Sequence, residues 1–149
     1  DPMRQELFTT SRGYGAQLDG RRIRVSKQLT LDGALIGTGF PFRAEQMPHI
    51  DNYLDMFRDV AKQSAGIRRP GSAALDLAYV AAGRLDGFWE FGLSPWDMAA
   101  GAVLVTEAGG VVTDFTGGER YMEEGHVVAG HPAILEEILP HIARHLPLW

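Results

Sequence analysis

Ser94-Pro95-Trp96-Asp97-Met98-Ala99-Ala100-Gly101, continuing to Glu107-Ala108-Gly109-Gly110, is the stretch from which the rest of the chain is read. Ser94 is placed as a helix N-cap and Pro95 at the first helical position, where a missing N–H costs nothing. Trp96, Ala99, Ala100, Val103 and Leu104 recur at helical spacing and predict one buried face. Gly109 or Gly110 can take the left-handed conformation that stops the helix. Asp97 falls in the first turn, where the positive helix end favours an ionised carboxylate. A carboxylate there either caps the helix or offers a hard oxygen to a cation. Position alone leaves both open.

On the N-terminal side, Leu7 to Ser11, Ala16 to Leu18 and Arg22 to Val25 read as short strands. Asp19-Gly20 makes a tight hairpin turn between the last two, because Asp-Gly tolerates positive φ. A strand over Ala34 to Gly37 leads into the turn-rich Gly39-Phe40-Pro41-Phe42. A helix over about Ile50 to Ser64 follows, with Tyr53, Leu54, Phe57, Val60 and Ala61 as its predicted apolar face. The pattern then alternates. A short extended piece spans Gly66 to Arg69, a helix Ala73 to Ala82 and an aromatic strand Gly87 to Phe91. Beyond the signature helix come strands Val111 to Phe115 and His126 to Ala129, and a last helix from Pro132 to about His145. Strands alternating with helices predict an α/β layered domain.

With 149 residues the chain is long enough to bury a core, 45% of it being hydrophobic and 22% charged, the mix of a globular domain. The net charge of −5 disfavours nonspecific nucleic-acid binding. The run Arg21, Arg22, Arg24 and Lys27 is read as a solvated strand edge that discourages misassociation. There is no cysteine, which excludes disulfides and thiol chemistry and is compatible with a reducing, cytoplasmic setting. No apolar run is long enough for a membrane span, so no membrane partner is expected.

Trp96-Asp97-x-Ala99-Ala100-Gly101 followed by Thr106-Glu107-Ala108-Gly109-Gly110 resembles the C-terminal signature of the inositol monophosphatase family. Asp1-Pro2-Met3-Arg4-Gln5-Glu6-Leu7-Phe8-Thr9, Gly71-Ser72-Ala73-Ala74-Leu75-Asp76-Leu77 and Asp114-Phe115-Thr116-Gly117-Gly118 resemble its SuhB-type bacterial branch. The family's remaining metal ligands lie in a Gly-Asp-x-x-x-Glu type segment and in Asp-Pro-Leu-Asp-Gly-Thr, and neither occurs here. Asp1-Pro2-Met3-Arg4 is no substitute, since Arg4 stands where an aspartate is required. The resemblance therefore implies roughly the C-terminal half of a phosphatase. The expected fold is the C-terminal half of the layered α/β sugar-phosphatase fold, a mixed sheet flanked by helices. Residues 1–26 are expected to be strands of an N-terminal sheet and residues 27–149 a C-terminal α/β domain. Leu7, Phe8, Ile23 and Val25 would then lack part of their packing.

The resemblance also assigns roles. The aspartate matching Asp97 is a Mg²⁺ ligand that also meets substrate. Gly71, Ser72 and Ala73 match the loop against the inositol ring, and the glutamate matching Glu90 binds a substrate hydroxyl. From the residues alone, Gly71-Ser72-Ala73 is a helix start that Ser72 caps, and any helix N-terminus attracts oxygens through its free N–H groups. Glu90 shares a strand face with Phe88, while Trp89 and Phe91 point the other way. Unless it is an exposed edge residue, it needs a partner or solvent. Glu107 lies three turns beyond Asp97, too far to share a metal, and is read as structural. His141 and His145 are four apart, a zinc-compatible spacing, but histidines are also favoured at a helix C-terminus. No phosphate-loop or dinucleotide fingerprint and no nucleophile elbow occurs.

Taken with the resemblance, the expected function of the intact protein is Mg²⁺-dependent hydrolysis of a phosphate monoester on a small polyol, inositol 1-phosphate first. No catalytic, water-activating residue is expected within this chain, so the chain alone should be inactive. Related sugar, nucleotide or histidinol phosphatases are the alternative enzymes. An alternative of another class is a non-catalytic binding protein in ribosomal RNA transcription complexes. The resemblance further implies a homodimer.

Overall fold

In the computed structural model, which describes residues 1–146, β1 (Phe8–Thr10), β2 (Ala16–Leu18) and β3 (Arg21–Arg22) form a small antiparallel sheet. Asp19 and Gly20, both at positive φ, make the expected two-residue turn. The third strand is shorter than the sequence predicts because the chain turns away from β2 after Ile23. Ile23 N–H donates to Ala16 O, and Val25 N–H donates to Ala108 O at 3.1 Å. The chain is thereby handed from the small sheet to the end of the signature helix.

The main sheet contains β4 (Leu35–Thr38), β5 (Gly66–Arg68), β6 (Gly87–Glu90), β7 (Val111–Thr113) and β8 (Val127–Gly130), in the order β5-β4-β6-β8-β7. The β4 strand runs parallel to β5 and β6, whereas β8 runs antiparallel to β6 and β7. The sheet is therefore mixed, and β6 lies at its centre. Helices α1 (Ile50–Gln63) and α5 (Pro132–Ala143) cover one face, and α2 (Ala73–Ala81) and α3 (Pro95–Glu107) cover the other. A one-turn helix, α4 (Tyr121–Glu124), was not legible from periodicity because it spans only four residues.

Alternation along β6 divides the core in two. Trp89 joins Tyr53, Met56, Phe115 and Ile138 beneath α1 and α5. Phe88 joins Leu77, Val80, Met98 and Val105 beneath α2 and α3. The α2–α3 seam is tight at Gly101, where an added Cβ would lie 2.5 Å from Leu77 Cβ. The small sheet packs outside this seam, with Ala16 buried and Phe8, Ile23 and Val25 half-buried against it. Of the four apolar residues expected to lack packing, Leu7 is the exposed one.

Two predicted faces are corrected. On α1 the buried stripe is Tyr53, Met56 and Val60, while Leu54, Phe57 and Ala61 face solvent. On α3 the buried residues are Met98, Gly101, Ala102, Leu104 and Val105. Trp96 is 80% exposed, and Ala99 and Ala100 are exposed too. Helix α3 is apolar almost all round, so spacing could not choose between its two stripes; packing against Leu77 of α2 does.

Candidate active site

Parallel strands β4 and β6 end side by side, and the chain beyond them opens a cleft of about 240 Å³. In open α/β sheets, ligands bind at the carboxyl ends of such strands. The predicted residues Gly71, Ser72, Ala73, Glu90 and Asp97 all line this one cleft. Gly39, Arg43, Gln46 and Arg69 are among the other residues that line it, and none of these four was singled out as a site residue from sequence.

Each wall has a local cause. Asp97 sits at the third position of α3 behind Ser94 and Pro95. Its Oδ2 accepts the Ser94 N–H at 2.9 Å, a bond that caps the helix and fixes the carboxylate's direction. The capping reading of Asp97 is thus realised, and the same residue lines the cleft. Gly71 has φ +100°, a conformation in which a side chain would be strained. Ser72 occupies the N-cap position of α2 through its carbonyl, which accepts the Asp76 N–H. Its hydroxyl makes no capping bond, contrary to the expected side-chain cap.

Glu90 lies at the end of the central strand, not at an edge. Its carboxyl lies directly over Gly39: a Cβ there would be 1.8 Å from Glu90 Cδ. Burial, with Asp76 and Asp97 nearby, pushes Glu90 up to about 7. Gln46 pins the loop opposite. Its Oε1 accepts the N–H groups of Phe42 and Arg43, and its Nε2 donates to Phe91 O. Below the cleft, Asp76 is fully buried, and burial pushes it up to about 7 as well.

The other candidates lie elsewhere. Glu107 accepts the N–H groups of Gly13 and Gly15 at 2.7 and 2.8 Å, which clamps the β1–β2 loop to the end of α3. The two histidines do not converge on a metal: His145 Nε2 pairs with Asp59 at 2.8 Å, and His141 contacts Arg144. Among the described residues no group of three or more His, Asp or Glu could hold a metal ion. A larger groove, about 550 Å³, runs along α3 between Arg12, Val103 and Met122. Its carboxylate is Glu107, which is committed to the N–H groups of Gly13 and Gly15. The Asp114-Phe115-Thr116-Gly117-Gly118 motif is structural. Asp114 accepts bonds from Thr116 N–H and Oγ, Gly118 N–H and Arg120 N–H, and so folds the loop around its carboxylate.

A mixed sheet between two helix layers, with a carboxylate-walled cleft at its strand ends, defines a layered α/β domain. The chain belongs to the inositol monophosphatase family, whose model matches residues 1–146. It is 63% identical to the Nus factor SuhB of Pseudomonas aeruginosa, across 99% of this chain and 54% of that protein. Against the Nus factor SuhB of Escherichia coli K12 the identity is 54%, covering 98% and 54%. Among solved structures, the extragenic suppressor protein suhB of Bartonella henselae superposes with a TM-score of 0.91 at 46% identity, covering 97% of this chain and 55% of that one. The inositol monophosphatase of Anabaena gives a TM-score of 0.90 at 39% identity, covering 99% and 59%. The chain spans about half the length of the curated relatives it matches.

Proposed function

We propose that the full-length protein carrying this chain hydrolyses the phosphate monoester of a small polyol, with inositol 1-phosphate as substrate and Mg²⁺ as cofactor. The supporting observation is that Gly71–Ala73, Glu90 and Asp97 line one cleft, although they come from three separate elements. The donor set suits Mg²⁺ in part. Asp97 brings one hard anionic oxygen already oriented by Ser94, and Mg²⁺ takes only one or two carboxylates beside waters and phosphate oxygens. When bound there, the ion would screen the phosphate charge and acidify a water. The start of α2 turns its N–H groups toward the substrate's oxygens. Glu90, in its ionised form, accepts a polyol hydroxyl in a charge-assisted bond. No general base is assigned within residues 1–146. A homodimer in the cytoplasm is part of the same reading, and among the described residues no helix is long and apolar enough to cross a membrane.

The name Nus factor carried by the relatives favours a second reading, in which the protein acts in a transcription complex by binding. One experiment separates the two. Phosphate release from inositol 1-phosphate is measured with the full-length protein and its Asp97→Asn variant across a Mg²⁺ series. The amide still accepts the Ser94 N–H, so the fold stands while the charge is lost. Loss of at least a hundredfold in rate supports the phosphatase. An equal rate at limiting Mg²⁺ refutes the role given to Asp97, and no release from either protein favours the binding reading.

A further inference from the structure

Five of the chain's fourteen lysines and arginines fall within residues 12–27 against a single acid, although the whole chain carries a net charge of −5. Arg12, Arg21, Arg22, Arg24 and Lys27 are all exposed. Elsewhere Arg58, Arg84, Arg120 and Arg144 each pair with a carboxylate. Among the described residues none of the five in this segment forms an ion pair. The acids beside them are already engaged. Asp19 Oδ1 accepts the Leu7 N–H, and the two Glu107 oxygens accept the Gly13 and Gly15 N–H groups.

The Glu107 clamp also gathers part of this charge at one loop. Tyr14 lies between Gly13 and Gly15, both at positive φ, and is 78% exposed. Its N–H donates to Ser11 O at 2.9 Å, so the ring stands on a closed turn that is pinned to α3 on both sides. The Arg22 guanidinium lies against Gly15, where an added Cβ would meet its Nη2 at 2.7 Å. Arg24 Nη1 donates to Glu107 O at 3.1 Å, and Arg12 lines the same groove as Glu107. Across the strands Thr9, Gln17 and Arg22 are aligned and exposed. This outer face of the small sheet is polar and cationic, which suits a charged partner and not another apolar layer.

We propose that this hairpin surface binds single-stranded nucleic acid, with Arg12, Arg22 and Arg24 on the phosphates and a base stacked on Tyr14. The inference is independent of the polyol-phosphate reading: Glu107 lies at the far end of α3 from Asp97, about 15 Å along the helix. Four of the five cations are arginine, whose planar fork matches phosphate oxygens in pairs. A base can stack on an exposed ring only when it is free of a duplex, and such stacking tolerates any sequence. An acidic peptide would use the cations and leave the ring idle.

Fluorescence anisotropy of labelled, unstructured RNA and DNA strands of about 12 nucleotides tests this on the full-length protein. The two strands distinguish the sources of the shared chemistry, and binding of either supports the proposal. Three phosphate contacts on a single strand give a log–log salt slope of about −2, so affinity should fall about twentyfold between about 50 and 200 mM KCl. Arg22→Gln combined with Arg24→Gln should weaken binding about tenfold and flatten the slope to about −0.7. Tyr14→Ala should weaken it about fivefold with the slope unchanged, and Tyr14→Phe should bind as the parent does. The Tyr14 arm changes an exposed side chain and keeps the test alive if the arginine variant misfolds. Lys62→Gln, an exposed cation at the end of α1, should change nothing. Four results overturn the proposal: no binding at the lower salt, an equal loss in Lys62→Gln, equal affinity for the duplex, or equal competition by polyglutamate.

Discussion

Alanine at Gly39 is the most informative small perturbation of the cleft. The backbone accepts it, since Gly39 is not among the glycines at positive φ. The side chain is the difficulty: its Cβ would sit 1.8 Å from Glu90 Cδ and 2.0 Å from Oε1, so the Glu90 carboxyl must leave. Overpacking of this kind costs about 1–3 kcal/mol. Departure also returns something, because the buried carboxyl is held up at about 7 against an ordinary 4.5. A raised carboxyl leaves stability intact below its unfolded value and removes it as pH climbs toward its folded value. Between pH 5 and pH 8 that loss integrates to about 2.5 kcal/mol at 1.36 kcal/mol per unit. A Glu90 turned out to solvent no longer incurs it. Gly39→Ala should therefore be destabilising by about 1–3 kcal/mol at pH 5 and about 2.5 kcal/mol less so at pH 8, near neutral. Urea unfolding of both chains at one fixed concentration and the two pH values measures this. An equal cost at both would show that Glu90 is not a buried, strained carboxyl, and the electrostatic account of the cleft would fall with it.

Asp114→Ala should destabilise the chain by about 3 kcal/mol, since it strips a buried carboxylate that satisfies three backbone N–H groups and a hydroxyl. Burial raises Asp114 but its hydrogen bonds hold it below the usual range, so its contribution is present above pH 4 or so and is lost as pH falls; acid titration of the unfolding midpoint reads this. The exposed apolar side of α3, with Trp96 at 80% exposure beside Ala99 and Ala100, together with exposed Leu7 and the open edges of the small sheet, should make the 149-residue chain self-associate. Light scattering at micromolar concentration checks it, and a clean monomer would refute it.

Much of this fold could be read from punctuation. Asp19-Gly20, Ser94-Pro95 and Pro132 fixed the hairpin turn and two helix starts because each residue type has a specific backbone requirement. Faces were harder. Along α1, Tyr53, Met56 and Val60 compete with Leu54, Phe57 and Ala61, and both sets have helical spacing; only the packing of Tyr53 against Trp89 decides. Placement of Gly71, Glu90 and Asp97 followed from the resemblance, since no local signal brings residues from a loop, a strand end and a helix start to one cleft. Asp76 was missed although a signal existed. It lies three residues after Ala73 and four before Val80, so an acid falls on the inner stripe of a helix. Gly39 and Gln46 gave no comparable sign, because their roles depend on chain folded back from Glu90 and Phe91.

The central claim is that Gly71–Ala73, Glu90 and Asp97 form a polyol-phosphate site with Asp97 as a cation anchor. A crystal structure of the full-length protein with Mg²⁺ and inositol 1-phosphate tests it most directly. The expected result is an ion about 2.1 Å from an Asp97 carboxylate oxygen, with Oδ2 still capping Ser94, and a ring hydroxyl within hydrogen-bonding distance of Glu90. An Asp97 bonded to Ser94 alone, with the ligand seated away from Glu90 and the start of α2, would contradict it.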